Sequence, residues 1–154
     1  MPEALKVIGG HESYFTGKLE AYLRAKGIAY QNIPFTIAAL EKAASHTGFF
    51  QIPQVECADG SWLVDTSLII EYLDQQHPEP VTIPTDPAAN FIALLLEDYA
   101  DEWLWRPAMH YRWSFDNSAE LLSSWLAEHS PETDVSLAKE SDVACATKRH
   151  LCRR

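Results

Sequence analysis

A chain of 154 residues that is 47% hydrophobic and 22% charged suits one compact domain, or a small domain with a partial second one. Its net charge of −10 argues against nucleic acid or an anionic membrane as a partner, because both call for a cationic footprint. No stretch approaches the ~20 apolar residues of a membrane span, and the N-terminus lacks the apolar core of a secretion signal, so the expected compartment is the cytoplasm.

Residues 4–8 are a short apolar run closed by Gly9-Gly10, which predicts a buried strand. From Ser13 to Lys26 the positions Leu19, Tyr22 and Leu23 recur at helical spacing, and Gly27 is the stop. A second strand over 29–33 makes the first unit strand, helix, strand, the local signature of a parallel pair. An alanine-rich helix is expected over 37–45. Residues 54–57 and 62–64 flank Asp59-Gly60, a turn dipeptide that predicts an antiparallel hairpin, and a helix follows over 66–76. The order β-α-β-α-β-β-α predicts an α/β domain over residues 1–77, with a mixed four-stranded sheet and helices on both sides.

Pro78, Pro80, Pro84 and Pro87 predict a linker over 78–87. Beyond it Ile92, Leu96, Tyr99 and Trp103 form an apolar stripe that should end near Pro107, and Leu121, Leu122, Trp125 and Leu126 predict another helix. A partial all-α domain is therefore expected over 88–130. Residues 1–130 carry seven Lys and Arg against eighteen Asp and Glu, whereas 131–154 carry five against four with little periodicity. That last stretch is expected to be a disordered tail.

The run from Gln51 to Leu73 holds the most chemistry. Ile52 before Pro53 is pushed toward extended geometry, and a proline opening a strand suits a cis bond, which costs only ~0.5 to 1 kcal/mol over trans. Such a bond would turn the Ile52 N–H and C=O outward, where another extended peptide can pair with them. Asp65 and Thr66 precede the apolar period Ile69, Tyr72, Leu73. A helix N-terminus suits a carboxylate, and the Asp65 side chain can take a neighbouring ammonium; the plainer reading is a helix cap.

Other candidates read more simply. Cys57, Cys145 and Cys152 make an odd set without paired short spacing, against a disulfide framework or a zinc knuckle, and the six histidines are scattered. No metal is expected. Glu97, Asp98, Asp101 and Glu102 read as an acidic helix surface, and Trp103, Trp105, Tyr111 and Trp113 as packing residues with a share left for an apolar pocket.

Together these residues resemble the glutathione S-transferase superfamily, with a thioredoxin-like first domain and an all-helical second one. The resemblance rests on the Gly9-Gly10 loop with Ser13 at the helix start, Gln51-Ile52-Pro53, the Asp59-Gly60 hairpin, and Asp65-Thr66 leading into Leu68-Ile69-Ile70-Glu71-Tyr72-Leu73. It implies that glutathione is bound as co-substrate, its cysteinyl unit by the backbone of Ile52 beside Pro53 and its γ-glutamyl head by Asp65 and Thr66, with help from Gln51. It also implies a hydroxyl that hydrogen-bonds the sulfur, placed at Ser13, with Tyr14, Thr16 and His11 as competitors. A thiol of pKa ~8.5 is mostly protonated at neutral pH, and a hydroxyl donor at a helix N-terminus favours the nucleophilic thiolate. Because the loop has no cysteine, disulfide exchange is not expected. The family's second substrate is a small electrophile and its usual assembly a homodimer. Of the five or more helices implied for the second domain only about two are legible, so a shortened chain is expected. A non-catalytic binding or assembly module, or an inactive truncated form, is the alternative reading.

Overall fold

The computed structural model of the chain describes residues 4–129. The tail expected over 131–154 lies outside the described residues, as do Cys145 and Cys152. The chain divides into two compact units that part between Asn90 and Phe91.

The first unit runs β1 (Leu5–Gly9), α1 (Tyr14–Lys26), β2 (Tyr30–Pro34), α2 (Ile37–Thr47), β3 (Gln54–Glu56), β4 (Trp62–Val64) and α3 (Thr66–Gln76). Its sheet has the order β2-β1-β3-β4. The β1 strand is parallel to β2 and antiparallel to β3, which is antiparallel to β4. This is the expected mixed sheet. The hairpin forms at Asp59-Gly60, where Gly60 takes φ 82° and the Asp59 carboxylate accepts the Ser61 N–H at 2.9 Å.

Side chains alternate across a strand, so Val7 and its partner Val55 face one side of the sheet. There they pack with Leu19 and Leu23 of α1 and with Ile69 and Leu73 of α3, all six at most 3% exposed. The helical spacings read from the sequence select four of these residues, but not every partner is core. Tyr72 is exposed, and Tyr22 is half-buried with its hydroxyl donating to Asp74 at 3.3 Å. On the opposite face α2 reaches Gln54, whose Oε1 accepts the Thr47 hydroxyl at 2.8 Å.

Both ends of α1 follow their sequence signals. Ser13 caps the start, and Gly27 closes the helix in the left-handed region at φ 67°. Lys26 is the last residue of α1, where a cation suits the negative end of the helix dipole. It is in fact 6% exposed, paired with Asp74, and donates to the carbonyls of His77 and Pro80 at 2.8 Å each. The Thr82 hydroxyl donates to Asp74 as well, so residues 77–82 are tied down onto α1 and α3. The Glu79–Pro80 bond in this segment is cis.

The remaining described residues are helical: α4 (Pro87–Tyr99), a π-helical turn (Ala100–Leu104), α5 (Trp105–Trp113) and α6 (Asp116–His129). Asp86 starts α4 by accepting the Ala89 N–H at 2.9 Å, with Pro87 at the first helical position, where no N–H is needed. The expectation that this helix ends near Pro107 is wrong. A proline deep in a helix loses a hydrogen bond and meets the carbonyl four residues earlier. Pro107 stands third in α5, directly after the π turn, where the pairing of the helix has already changed from its α pattern, and the helical path continues through it. Trp103, Trp105 and Tyr111 do not belong to a core of their own unit, since they are 58%, 39% and 65% exposed. Trp113 is half-buried.

Candidate functional site

Sheet register brings the sequence candidates together. Ile8 of β1 pairs with Gln54 of β3, and Gln54 pairs with Val64 of β4, so these three residues stand side by side across the sheet. The chain leaves β1 just beyond Ile8 toward Gly10 and Ser13, enters β3 just before Gln54 through Ile52 and Pro53, and leaves β4 just beyond Val64 into Asp65 and Thr66. All three candidate segments therefore emerge at one end of the sheet. Three adjacent strands span about 10 Å, roughly the length of three extended residues.

Ser13 is half-buried and sits in extended geometry before α1, with φ −78° and ψ 123°. Its Oγ accepts the Thr16 N–H at 3.2 Å, while its own N–H donates to the Gly10 carbonyl at 3.0 Å. The Oγ is an acceptor in the cap, so its proton can still be donated outward. No acidic side chain occupies the first turn of α1, and Arg24 and Lys26 lie in the last, so the helix presents the positive end of its dipole toward Ser13. Thr16 is 2% exposed and packed against Gly9, too deep for its hydroxyl to meet a ligand in solution. Tyr14 is half-buried and packs edge-on to Phe15 at 5.4 Å, and His11 is exposed.

The Ile52–Pro53 bond is cis, the geometry read from the sequence. Ile52 lies outside β3, whose ladder begins at Gln54, and it is half-buried beside the exposed Gln51 and the buried Pro53.

Asp65 both caps and departs from ordinary backbone geometry. Its Oδ1 accepts the N–H groups of Ser67 at 3.0 Å and Leu68 at 3.3 Å. Its φ of 73° with ψ 117° makes it the one non-glycine residue at positive φ among the described residues. A conformation of this kind costs of order 1–3 kcal/mol, and such residues cluster at ligand clamps. The cap occupies one carboxylate oxygen, leaving Oδ2 for another donor. Because the cap uses the amides of Ser67 and Leu68, the N–H of Thr66 is the first-turn donor still open to a carboxylate.

Two neighbours escaped the sequence reading. Lys18 Nζ donates to the Ser67 hydroxyl at 3.1 Å, which brings a cation from α1 to the start of α3. Gln54 is fully buried, with its amide turned back onto the loop that carries Ile52. A glutamine between Pro53 and Val55 has no periodic signal, and only its inward position in so short a strand could have marked it. Cys57, the cysteine among the described residues, is half-buried and free. Burial pushes its thiol up, the Asp59 charge adds to this, and the Ser61 hydrogen bond only partly offsets it, so it is a poor nucleophile. Among the described residues no group of three or more His, Cys, Asp or Glu could hold a metal ion.

Residues 12–76 match the family model for the glutathione S-transferase N-terminal domain. That likeness covers 65 of the chain's 154 residues, and over them the chain is similar to the N-terminal domain of glutathione S-transferases. It is 23% identical over 163 residues to an uncharacterized glutathione S-transferase-like protein, YibF of Escherichia coli K12, covering 92% of this chain and 80% of that one. Among solved structures it is similar to a glutathione S-transferase from Methylobacillus flagellatus KT with glutathione bound. That match has a TM-score of 0.55 and 27% identity, and it covers 64% of this chain. The chain spans about half the length of that transferase, 49% of which is matched. The Tau class transferase MiGSTU of mango, Mangifera indica, shares the fold at TM-score 0.61 and 20% identity, over 80% of this chain and 60% of that one. The first unit has the thioredoxin-like fold of that N-terminal domain, and the segments emerging at one end of its sheet carry the resemblance. No helix among the described residues is long and apolar enough to cross a membrane.

Proposed function

We propose that this protein is a glutathione transferase that binds the tripeptide across the sheet end formed by residues 9–13, 51–53 and 65–66, and activates its thiol for attack on a small electrophile. The observation that carries this reading is the lateral alignment of Ile8, Gln54 and Val64, which brings a hydroxyl, an extended backbone segment and an acid-capped helix start within one tripeptide length. The γ-glutamyl ammonium goes to the free oxygen of Asp65 and its carboxylate to the Thr66 N–H and hydroxyl. The cysteinyl unit pairs with the backbone of Ile52 beside Pro53, with Gln51 alongside. The sulfur meets Ser13.

The chemistry then needs no metal. The thiol proton leaves to solvent, the Ser13 hydroxyl donates a hydrogen bond to the thiolate, and the α1 N-terminus adds its positive potential. With an aryl halide as electrophile, the sulfur lone pair forms the carbon–sulfur bond and the halide departs with the electrons of the bond that breaks. In this reading residues 1–77 are the glutathione-binding domain, the protein is cytoplasmic, and it works as the homodimer usual for such enzymes.

Retention on immobilised glutathione, followed by turnover of a generic aryl halide by wild type and Ser13→Ala, tests this. Retention with turnover that falls in Ser13→Ala supports it; retention with no turnover by either protein removes the catalytic part. A binding or assembly module is the second reading, favoured by the exposed Phe91, Leu94, Leu95 and Leu96 of α4. Tight self-association or partner binding without glutathione affinity would select it.

A further inference from the structure

Gln54 is the largest fully buried polar side chain among the described residues, and it lies immediately after the cis Ile52–Pro53 bond. Its Nε2 donates to the carbonyl of Phe49 at 2.8 Å and to that of Gln51 at 2.9 Å. Its Oε1 accepts from the Thr47 hydroxyl at 2.8 Å, and Thr47 Oγ1 in turn accepts the Phe49 N–H at 3.2 Å. Both amide protons and the carbonyl oxygen are thus committed. The orientation of the amide is fixed by the same set, since a flipped amide would press its oxygen against two carbonyls.

Every one of these bonds closes on the loop between α2 and β3. That loop is anchored at Thr47, passes the exposed Phe49 and Phe50, and delivers Gln51 and Ile52 to the sheet end. The exposed loop has few apolar contacts of its own to hold it. The buried amide substitutes for them, gripping the carbonyls on either side of Phe50 from a central strand whose own backbone pairs with β1 and β4. A side chain of similar length without donors would leave two inward carbonyls without protein partners, and the loop would turn them toward water.

We propose that Gln54 is a positioning residue for glutathione: its amide holds the Gln51 carbonyl and through it fixes the backbone of Ile52 where the cysteinyl unit pairs. This rests on the glutathione reading given above. Gln54 touches no ligand itself, so its loss acts on how well the tripeptide is held and not on the chemistry of the bound thiol.

The test uses the full chain with Gln54→Met, which keeps length and removes all three hydrogen bonds, and Thr47→Val, which leaves both amide donor bonds of Gln54 in place and removes the hydroxyl that meets its Oε1 and accepts the Phe49 N–H. Glutathione Kd is measured by calorimetry, aryl halide kinetics are recorded at varied glutathione, and folding is followed by circular dichroism. The expected result is a Kd and a glutathione KM raised about tenfold or more in Gln54→Met, with kcat at saturating glutathione within about twofold of wild type. Thr47→Val should shift Kd in the same direction by less, and it carries the test if Gln54→Met does not fold. A folded variant with unchanged Kd, or one in which kcat falls while Kd holds, overturns the positioning role while leaving the glutathione reading intact. Wild type that fails to bind glutathione overturns both.

Discussion

Lys26 and Asp74 form a clamp in which the ammonium is sealed from solvent while the carboxylate stays partly open, at 0% and 23% side-chain exposure. A buried cation is tolerable only when its donors are used, and here the His77 and Pro80 carbonyls take the other two. Removing the cation leaves three acceptors without it. Lys26→Met and Asp74→Asn should therefore each cost on the order of 3 kcal/mol in chemical denaturation, the first by leaving three acceptors without the cation and the second by leaving a buried ammonium without its counter-ion. Equal small losses would show the clamp to be incidental.

The same clamp sets a pH dependence. Burial pushes the Asp74 carboxyl up, but hydrogen bonds from Lys26 and Thr82, the Lys26 charge and the Tyr22 hydroxyl outweigh it and hold it below the usual carboxylate range. A depressed carboxyl stabilises the fold above its ordinary pKa of ~3.9 and loses that contribution as pH falls below it. Tyr22 works in the other direction. Burial, then the Asp74 charge and hydrogen bond, raise its phenol, so its contribution is present below pH ~10 and lost above. Denaturation across the pH range should show wild type weakening at both ends. Asp74→Asn should flatten the acid limb and weaken the alkaline one only in part, because burial of Tyr22 remains, and a variant that keeps the wild-type acid limb would remove Asp74 as its source.

Ser13 combines a cap with a candidate donor, and the two roles separate by substitution. Ser13→Ala loses the acceptor for the Thr16 N–H and should cost ~1 kcal/mol. Ser13→Asp keeps a cap acceptor beside the helix N-terminus, so stability should hold within about 0.5 kcal/mol. Its carboxylate cannot donate to a thiolate and repels it. Both variants should lower kcat/KM on the order of a hundredfold, and the pH-rate profile should move up toward the free thiol value of ~8.5. Activity that tracks stability instead would make Ser13 a cap alone.

The parts legible in the sequence are those with local causes. Asp65-Thr66 ahead of an apolar period signals a helix start, Asp59-Gly60 a turn, and Gly27 a stop, and each needs only its neighbours. The site drew on the same signals, because it is made of strand ends and helix starts. What stayed hidden depends on distant segments. Gln54 matters through the loop that folds back on it, and Lys26 through the His77 and Pro80 carbonyls, 51 and 54 residues later in the chain. The π turn before Pro107 could not be read either, since the rule for a proline in a helix predicts an end, and the chain instead changes helical type.

Asp65 invites a parallel separation. Asn keeps an oxygen for the Ser67 and Leu68 amides and tolerates positive φ, so Asp65→Asn should stay within about 0.5 kcal/mol of wild type. It loses the charge that would meet the γ-glutamyl ammonium, and glutathione Kd by calorimetry should rise about tenfold. Asp65→Ala loses cap and charge together and tolerates φ 73° poorly, at a cost of about 1–3 kcal/mol. Asn that binds as tightly as Asp would reduce this residue to a cap.

Gly10 and Gly17 stand seven residues apart and should respond to alanine with opposite signs. A Cβ on Gly10 would lie 2.5 Å from both the Phe35 ring and the Glu12 carboxylate, whereas one on Gly17 meets nothing within 4 Å. Gly10 also supplies the carbonyl that accepts the Ser13 N–H, so displacement of its backbone moves Ser13 with it. Gly10→Ala should therefore cost on the order of 1–3 kcal/mol and lower aryl halide turnover beyond what the stability loss explains. Gly17 lies inside α1, where alanine costs less chain entropy than glycine, so Gly17→Ala should stabilise by about 0.5–1 kcal/mol with turnover unchanged. Thermal denaturation with parallel kinetics reads both. A neutral Gly10→Ala would mean that Phe35 yields freely and that the loop before Ser13 is not held by this contact.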